Sequence, residues 1–199
     1  MIGNTQVGDD GYGLTGTAPW ILDPQNTANL IIVTCRVWRG PGDSSAWSAS
    51  NAISPMLDTV QNSFCDGNAQ LRSLAASGSP TDAPGAAEKI YAGMAGSSDG
   101  GATVAGHIYA ASVSSASSVT PAWSDLSSAP VLNSPTSTFN ADGFDISSIY
   151  VDPHDSTGNT LYVAIQGFIT GTSISFLAYR STDGGATGFR STRTCPMPR

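Results

Sequence analysis

The sequence predicts an all-β fold in which short antiparallel strands are gathered into repeated four-stranded units. Three observations carry this. A polar signature is written twice, Ser97-Ser98-Asp99-Gly100-Gly101-Ala102-Thr103 and Ser181-Thr182-Asp183-Gly184-Gly185-Ala186-Thr187, and self-similarity at long range marks a repeated structural unit. Asp hydrogen-bonds nearby amides and the Gly pair reaches positive φ, so each copy reads as a tight turn beside a strand. A second phrase also recurs: Trp20-Ile21-Leu22-Asp23-Pro24 leads into an apolar run over 30–39, and Ile149-Tyr150-Val151-Asp152-Pro153 into another over 161–165. Finally, 22 Gly, 12 Pro and abundant Ser punctuate strand-length apolar bursts in a chain that is 40% hydrophobic and only 12% charged, the pattern of a turn-rich β protein rather than a disordered one.

The strands follow in order. In the first unit, 20–22 forms a strand, Asp-Pro ends it because Pro fixes φ, and 30–39 continues the sheet. The second unit is less regular, with strands at 71–76, 90–94, 106–111 and 123–126. The third has strands at 149–151, 161–165 and 175–180. Ser/Pro/Asn-rich linkers run over 77–86 and 127–140. Helical spacing is poor, with at most one turn over 53–60. Four strands in roughly 45–65 residues is the arithmetic of a propeller blade, and a sandwich of about seven strands is the alternative. The recurring turns favour blades. The resulting division is a lead-in over 1–14, units over 15–66, 67–130 and 131–188, and a tail over 189–199.

Composition excludes several classes. The net charge is −7, with a single Glu (Glu88) and a single Lys (Lys89), so no basic stripe exists for nucleic acid. No run approaches the roughly 18 apolar residues of a membrane span. No basic and apolar leader is legible at Met1-Ile2-Gly3-Asn4. Cys35 and Cys65 either pair in an exported protein or remain buried thiols.

The segment 181–187, preceded by Val151-Asp152-Pro153 and Leu161-Tyr162-Val163, resembles the Asp-box (BNR) repeat of sialidase-like β-propellers. The Asp99 copy resembles a second box. Gly40-Pro41-Gly42-Asp43-Ser44-Ser45-Ala46-Trp47 resembles a degenerate third, and Gly8-Asp9-Asp10-Gly11-Tyr12 a lead-in to a blade. The resemblance spans residues 8–187 and implies a partial β-propeller of antiparallel four-stranded blades, part of a longer protein because three blades leave two open flanks. In that family the box joins the outer two strands of a blade on the side away from the ligand face. The resemblance thus implies architectural roles for Ser97, Asp99, Gly101, Ser181, Asp183 and Gly185. It also implies an extracellular or periplasmic location.

Fold alone does not supply function. A sialidase needs several converging Arg, a Tyr–Glu pair and an acid; the body offers Arg36, Arg39, Arg72 and Arg180, and Glu88 reads as solvated surface. A xyloglucanase-type glycoside hydrolase needs only two carboxylates across a cleft. Asp9, Asp10, Asp142 and Asp145 are the candidates, with turn chemistry beside Gly11 and Gly143 as their plainer reading. Tyr12, Trp20, Trp38 and Phe144 could stack on sugar rings but read as core. His107 and His154 lack a second ligand at metal spacing, and the polar turn of Asp152, His154 and Asp155 suits weak Ca²⁺ binding less well than simple turn chemistry. No metal or cofactor is expected. The sequence therefore points to a binding or scaffold module that meets carbohydrate or protein through its loop face, with the glycoside hydrolase as alternative.

After Thr187 the repeat calls for Trp, yet Gly188 follows, and three of the seven Arg fall within 188–199. Restoring one T before the Gly188 codon creates a Trp codon. These last residues are therefore expected to form a frameshifted or disordered tail that does not complete the outer strand, Cys195 included.

Overall fold

The computed structural model describes residues 10, 18–43, 47–57, 70–83, 85–96, 106–114, 116–117, 119–134, 138–141, 143–166 and 178–191. These form an all-β chain of three antiparallel sheets. The first is β1 (Trp20–Leu22), β2 (Asn29–Val33) and β3 (Val37–Pro41). The second is the meander β4 (Leu71–Ala76), β5 (Glu88–Met94), β6 (Ile108–Val113) and β7 (Ser124–Asp125). The third is β8 (Asp145–Val151), β9 (Leu161–Gln166), β10 (Ala178–Ser181) and β11 (Phe189–Arg190). No α-helix occurs among the described residues; one 3₁₀ turn lies at Ala49–Asn51, ahead of the 53–60 stretch where a turn was expected.

The sheets stack in chain order. β1 and β2 pack on β4, and β4 and β5 pack on β8, so the middle sheet is buried on both faces. Its second strand shows this through period 2. Ile90, Ala92 and Met94 join Ile31, Val33, Val37 and Leu74 between the first two sheets. Tyr91, pointing the other way, joins Ile146, Ile149, Val151, Leu161 and Val163 between the second and third.

Cross-strand register shows that the three sheets share one plan. The row Trp20–Ile32–Trp38 crosses the first, Leu74–Ala92–Tyr109 the second and Ile149–Val163–Tyr179 the third. In each, an apolar first-strand residue meets a branched or small second-strand residue and an aromatic third-strand residue. In the second and third sheets this row faces the preceding sheet. The adjacent rows, Ile21–Ile31–Arg39, Ala75–Tyr91–Ala110 and Tyr150–Tyr162–Arg180, face the following one. Among the described residues no sheet follows the third, and Tyr150 and Tyr162 are 56% and 40% exposed.

The repeated Asp-Pro phrase makes the same turn twice. The Asp23 amide bonds the Asn29 carbonyl at 3.0 Å and the Asp152 amide the Thr160 carbonyl at 2.9 Å. Each carboxylate accepts the backbone N–H two residues on, from Gln25 and from His154, both at 2.9 Å.

Five expectations need correction. The 30–39 run is two strands, because the Thr34 N–H donating to the Arg36 carbonyl at 2.8 Å and the Thr34 hydroxyl accepting the Arg36 N–H at 3.2 Å fold it into a hairpin. Trp20 is not core: it is 62% exposed on the outer face of the first sheet. Glu88 is fully buried rather than solvated. The segment carrying Ser97, Asp99 and Gly101 lies outside the described residues, but it joins β5 to β6, the second and third strands, whereas the Asp183 turn joins β10 to β11, the third and fourth. The two copies therefore occupy different places in their sheets. Finally, the outer strand of the third sheet, which the tail was expected to leave incomplete, forms over two residues: Phe189 and Arg190 pair with Arg180 and Tyr179 through backbone groups that any sequence supplies; residues 192–199 lie outside the described residues.

Candidate functional site

The seam between the first and second sheets holds a buried ion cluster. Glu88 shares a face of β5 with Ile90, Ala92 and Met94, so the strand carries its carboxylate inward. Arg39 on β3 meets it through Nη2. The Arg39 Nε lies 3.0 Å from Asp23 Oδ2, and Nη1 donates to the Ser114 carbonyl at 3.0 Å. Burial pulls the Arg39 pKa below its ordinary value, with Asp23 opposing. The cluster ties β1, β3, β5 and the end of β6 together. One guanidinium spanning two carboxylates in a dry seam is a bracket, and it leaves no acid free for proton transfer. Its signal was legible as the period-2 alternation that begins at Glu88.

The catalytic candidates separate. Asp9 and Asp142 lie outside the described residues. Asp10 is buried; it accepts from the Thr34 hydroxyl at 2.9 Å and pairs with Arg36 Nε at 3.2 Å. Thr34 also accepts the Trp38 indole N–H at 2.9 Å, so Asp10 anchors the β2–β3 hairpin. Asp145 opens β8, buried at 5% exposure. It lies 3.4 Å from Arg72 Nη1 on β4 and accepts the Gly96 N–H at 3.2 Å. Burial lifts its carboxyl above the usual range against the opposing pull of Arg72 and the Gly96 amide. A Cβ at Gly106 would collide with the Phe144 carbonyl, and Asn140, in the left-handed region at φ 45°, donates to the Gly106 and Phe144 carbonyls, both at 2.7 Å. The backbone is thus packed tightly around Asp145, while half-exposed Arg72 gives the pair a solvent side. Asp10 and Asp145 sit at different seams and do not form a pair.

Asp183 folds into its own turn. It accepts the Thr187 N–H at 2.9 Å, the Thr187 hydroxyl at 2.6 Å and the Ser181 hydroxyl at 2.7 Å. Ser181, fully buried, in turn accepts the Gly185 N–H at 2.9 Å. Gly184 and Gly185 take φ 73° and 91°, the left-handed backbone the Gly pair supplies cheaply. Some burial raises the Asp183 pKa, but these donors hold it below the ordinary range.

The remaining polar groups are similarly occupied. Asp155 accepts from the Thr157 amide and hydroxyl and the Thr160 amide, which hold it far below the ordinary range and use the lone pairs a cation would need. Among the described residues no cluster of three or more His, Cys, Asp or Glu is placed to hold a metal. His107, Asp125 and Ser127 come together, but Asp125 at 2.8 Å and Ser127 at 3.2 Å both approach Nδ1. A Ser nucleophile needs the ring nitrogen opposite the one the acid holds, so this is a surface clasp. Cys35 is buried and disulfide-bonded; Cys65 and Cys195 lie outside the described residues.

The outer face of the third sheet is a different kind of surface. Tyr150, Tyr162, Arg180, Phe189 and the small residues Ser148, Ala164 and Ala178 line a concavity of about 530 Å³. The Tyr150 and Tyr162 rings lie 6.4 Å apart, and Arg180 stands 5.7 Å from the Tyr162 ring centre. Of the expected aromatic platforms, Trp38 and Phe144 are buried and Tyr12 lies outside the described residues, so this shelf uses aromatic residues that were not among the expected platforms. Neither protein-family models nor curated proteins gave a match to this chain. No helix among the described residues is long and apolar enough to cross a membrane.

Proposed function

We propose that the chain is a section of an Asp-box β-propeller that works as a binding or scaffold module in an exported protein. The three-sheet plan supports the fold reading: equivalent rows recur in register, sheets follow one another in chain order, and the Asp183 turn is closed by its own side chains. The disulfide at Cys35 supports export, since such bonds persist in oxidising compartments. What favours binding over catalysis is the engagement of the carboxylates: Asp10, Asp23, Glu88, Asp155 and Asp183 each serve a bracket or a turn. The ligand classes that suit the exposed aromatic and loop surfaces are carbohydrate and protein.

One observation favours the second reading, a xyloglucanase-type glycoside hydrolase. Burial shifts the Asp145 carboxyl upward, the direction a proton donor needs, and its partner carboxylate would come from outside the described residues. Incubation with xyloglucan separates the two. The binding reading predicts no release of reducing ends. Release by the wild-type chain, abolished by Asp145→Asn with an unchanged melting curve, would establish the hydrolase instead.

A further inference from the structure

The two Asp-Pro turns share a backbone but differ in what holds the Asp. Asp23 is fully buried. Its Oδ1 accepts the Gln25 and Asn26 N–H groups at 2.9 and 3.2 Å, and its Oδ2 lies 3.0 Å from Arg39 Nε. Both oxygens are engaged and water is excluded. The Asp152 side chain is 28% exposed, and His154 stands where the first copy has Gln25. The His154 N–H and ring Nδ1 meet Asp152 Oδ1 at 2.9 and 3.0 Å, while Oδ2 accepts no hydrogen bond among the described residues. The Asp152 carbonyl, which belongs to the peptide bond with Pro153, accepts the Asp155 N–H at 3.1 Å. The backbone and ring of His154 hold the Asp152 carboxyl below its usual range, and Asp155 is the other charged group that faces it. Thr157 and Thr160 close the Asp155 carboxylate within the turn.

We propose that the chain cuts its own backbone between Asp152 and Pro153. Asp152 Oδ2 attacks the carbonyl carbon of its own residue, closing a five-membered cyclic anhydride and breaking the bond to the Pro153 nitrogen. A carboxylate serves as such a nucleophile, and one on the same residue has the advantage of an intramolecular reaction. The Asp155 N–H is already on the carbonyl oxygen and stabilises the oxyanion as it forms. The leaving nitrogen belongs to a tertiary amide and takes the proton of the His154 imidazolium, which acts as general acid. One water then opens the anhydride. Asp152 is left with two carboxylates, and two protons are released, one to the His154 ring and one to the new Pro153 amine. Asp23 lacks both the free oxygen and the His, so the first turn stays whole. The cut falls between β8 and β9, which pair from Asp145↔Gln166 to Val151↔Leu161, so the two pieces remain one folded body.

The test holds the purified full chain, with protease inhibitors, at about pH 5, where carboxylates are ionised and imidazoles protonated. Reducing denaturing gels and mass spectrometry follow it over several days. Expected are fragments 1–152 and 153–199 with Pro153 as the new N-terminus. The rate should be independent of protein concentration and at least about tenfold slower at about pH 8. Asp152→Ala should abolish the reaction. His154→Ala, at a side chain 94% exposed, should slow it by about a hundredfold with an unchanged melting curve, and imidazole buffer should restore part of the rate. A chain that stays intact overturns the proposal. So does equal cleavage after Asp23, a rate indifferent to His154→Ala, or an undiminished rate in urea, which would mark ordinary acid lability of Asp-Pro bonds.

Discussion

Replacing Arg39 by Met is the sharpest perturbation of the seam between the first and second sheets. Met keeps the length and apolar bulk of the side chain but removes the one cation between Asp23 and Glu88. Both carboxylates belong to fully buried residues and Arg39 is itself 7% exposed, so water cannot replace the guanidinium without opening the seam. Removing one partner of a buried pair costs about 3–5 kcal/mol, and here two carboxylates and the Ser114 carbonyl lose their donor together. At roughly 2–4 °C per kcal/mol for a chain of this size, the midpoint should fall by about 6–20 °C. Glu88→Gln should cost less, because it leaves the Arg39–Asp23 pair intact and neutral. The double variant, lacking both Arg39 and the Glu88 charge, should be more stable than the sum of the two losses predicts. Urea or calorimetric unfolding of the four proteins gives the coupling. A loss below about 1 kcal/mol for Arg39→Met would place the cluster among solvated surface pairs and refute its role as the bracket between sheets.

Asp145 titrates with the opposite sign from the turn acids. Its pKa is raised by burial, so its contribution to stability is full below the ordinary carboxylate range and lost as pH rises through its folded value; Asp145→Asn should remove that part of the pH slope in unfolding experiments. Tyr91 and Tyr179 are pushed up to about 12 chiefly by burial, with Asp155 and Asp183 adding for the first and Asp183 for the second. Ultraviolet titration should therefore show two of the six tyrosines ionising about two pH units after the exposed ones. Non-reducing peptide mapping should join Cys35 to Cys65, and reduction should cost about 3–4 kcal/mol in the chain-entropy model; a Cys35–Cys195 peptide would contradict the pairing.

Most of the strand plan was legible because period 2 and turn chemistry are local. β4 coincides with the apolar 71–76 run, and the β1 and β8 ends coincide with the Asp-Pro turns. What escaped was set by neighbours distant in sequence. The 30–39 run has no Gly or Pro before Gly40 to announce a hairpin; the turn rests on the Thr34 hydroxyl and on Asp10, 24 residues away. Glu88 looked exposed because Pro/Gly-rich sequence precedes it, and only the alternation through Ile90, Ala92 and Met94 points it inward. Trp20 looked like core because its strand does, yet exposure depends on which sheet lies opposite. The candidate acids were recognisable as residue types, but their separation into different seams was not, since seam membership depends on how the sheets stack.

Asp183→Ala tests most directly the proposal that the Ser-x-Asp-Gly-Gly signature marks architecture rather than chemistry. Burial slightly opposes ionisation there, but the Thr187 and Ser181 donors hold the carboxyl low. Its contribution is therefore present above the ordinary carboxylate range and lost as pH falls through the folded value. The side chain is exposed, so water rehydrates part of what is lost and the cost falls at the lower end of the orphaned-donor range, about 1 kcal/mol. Thermal unfolding at neutral pH should show a midpoint lower by roughly 2–4 °C, with the difference from wild type shrinking on acidification. An unchanged midpoint, together with loss of a measurable activity of the wild-type chain, would contradict it.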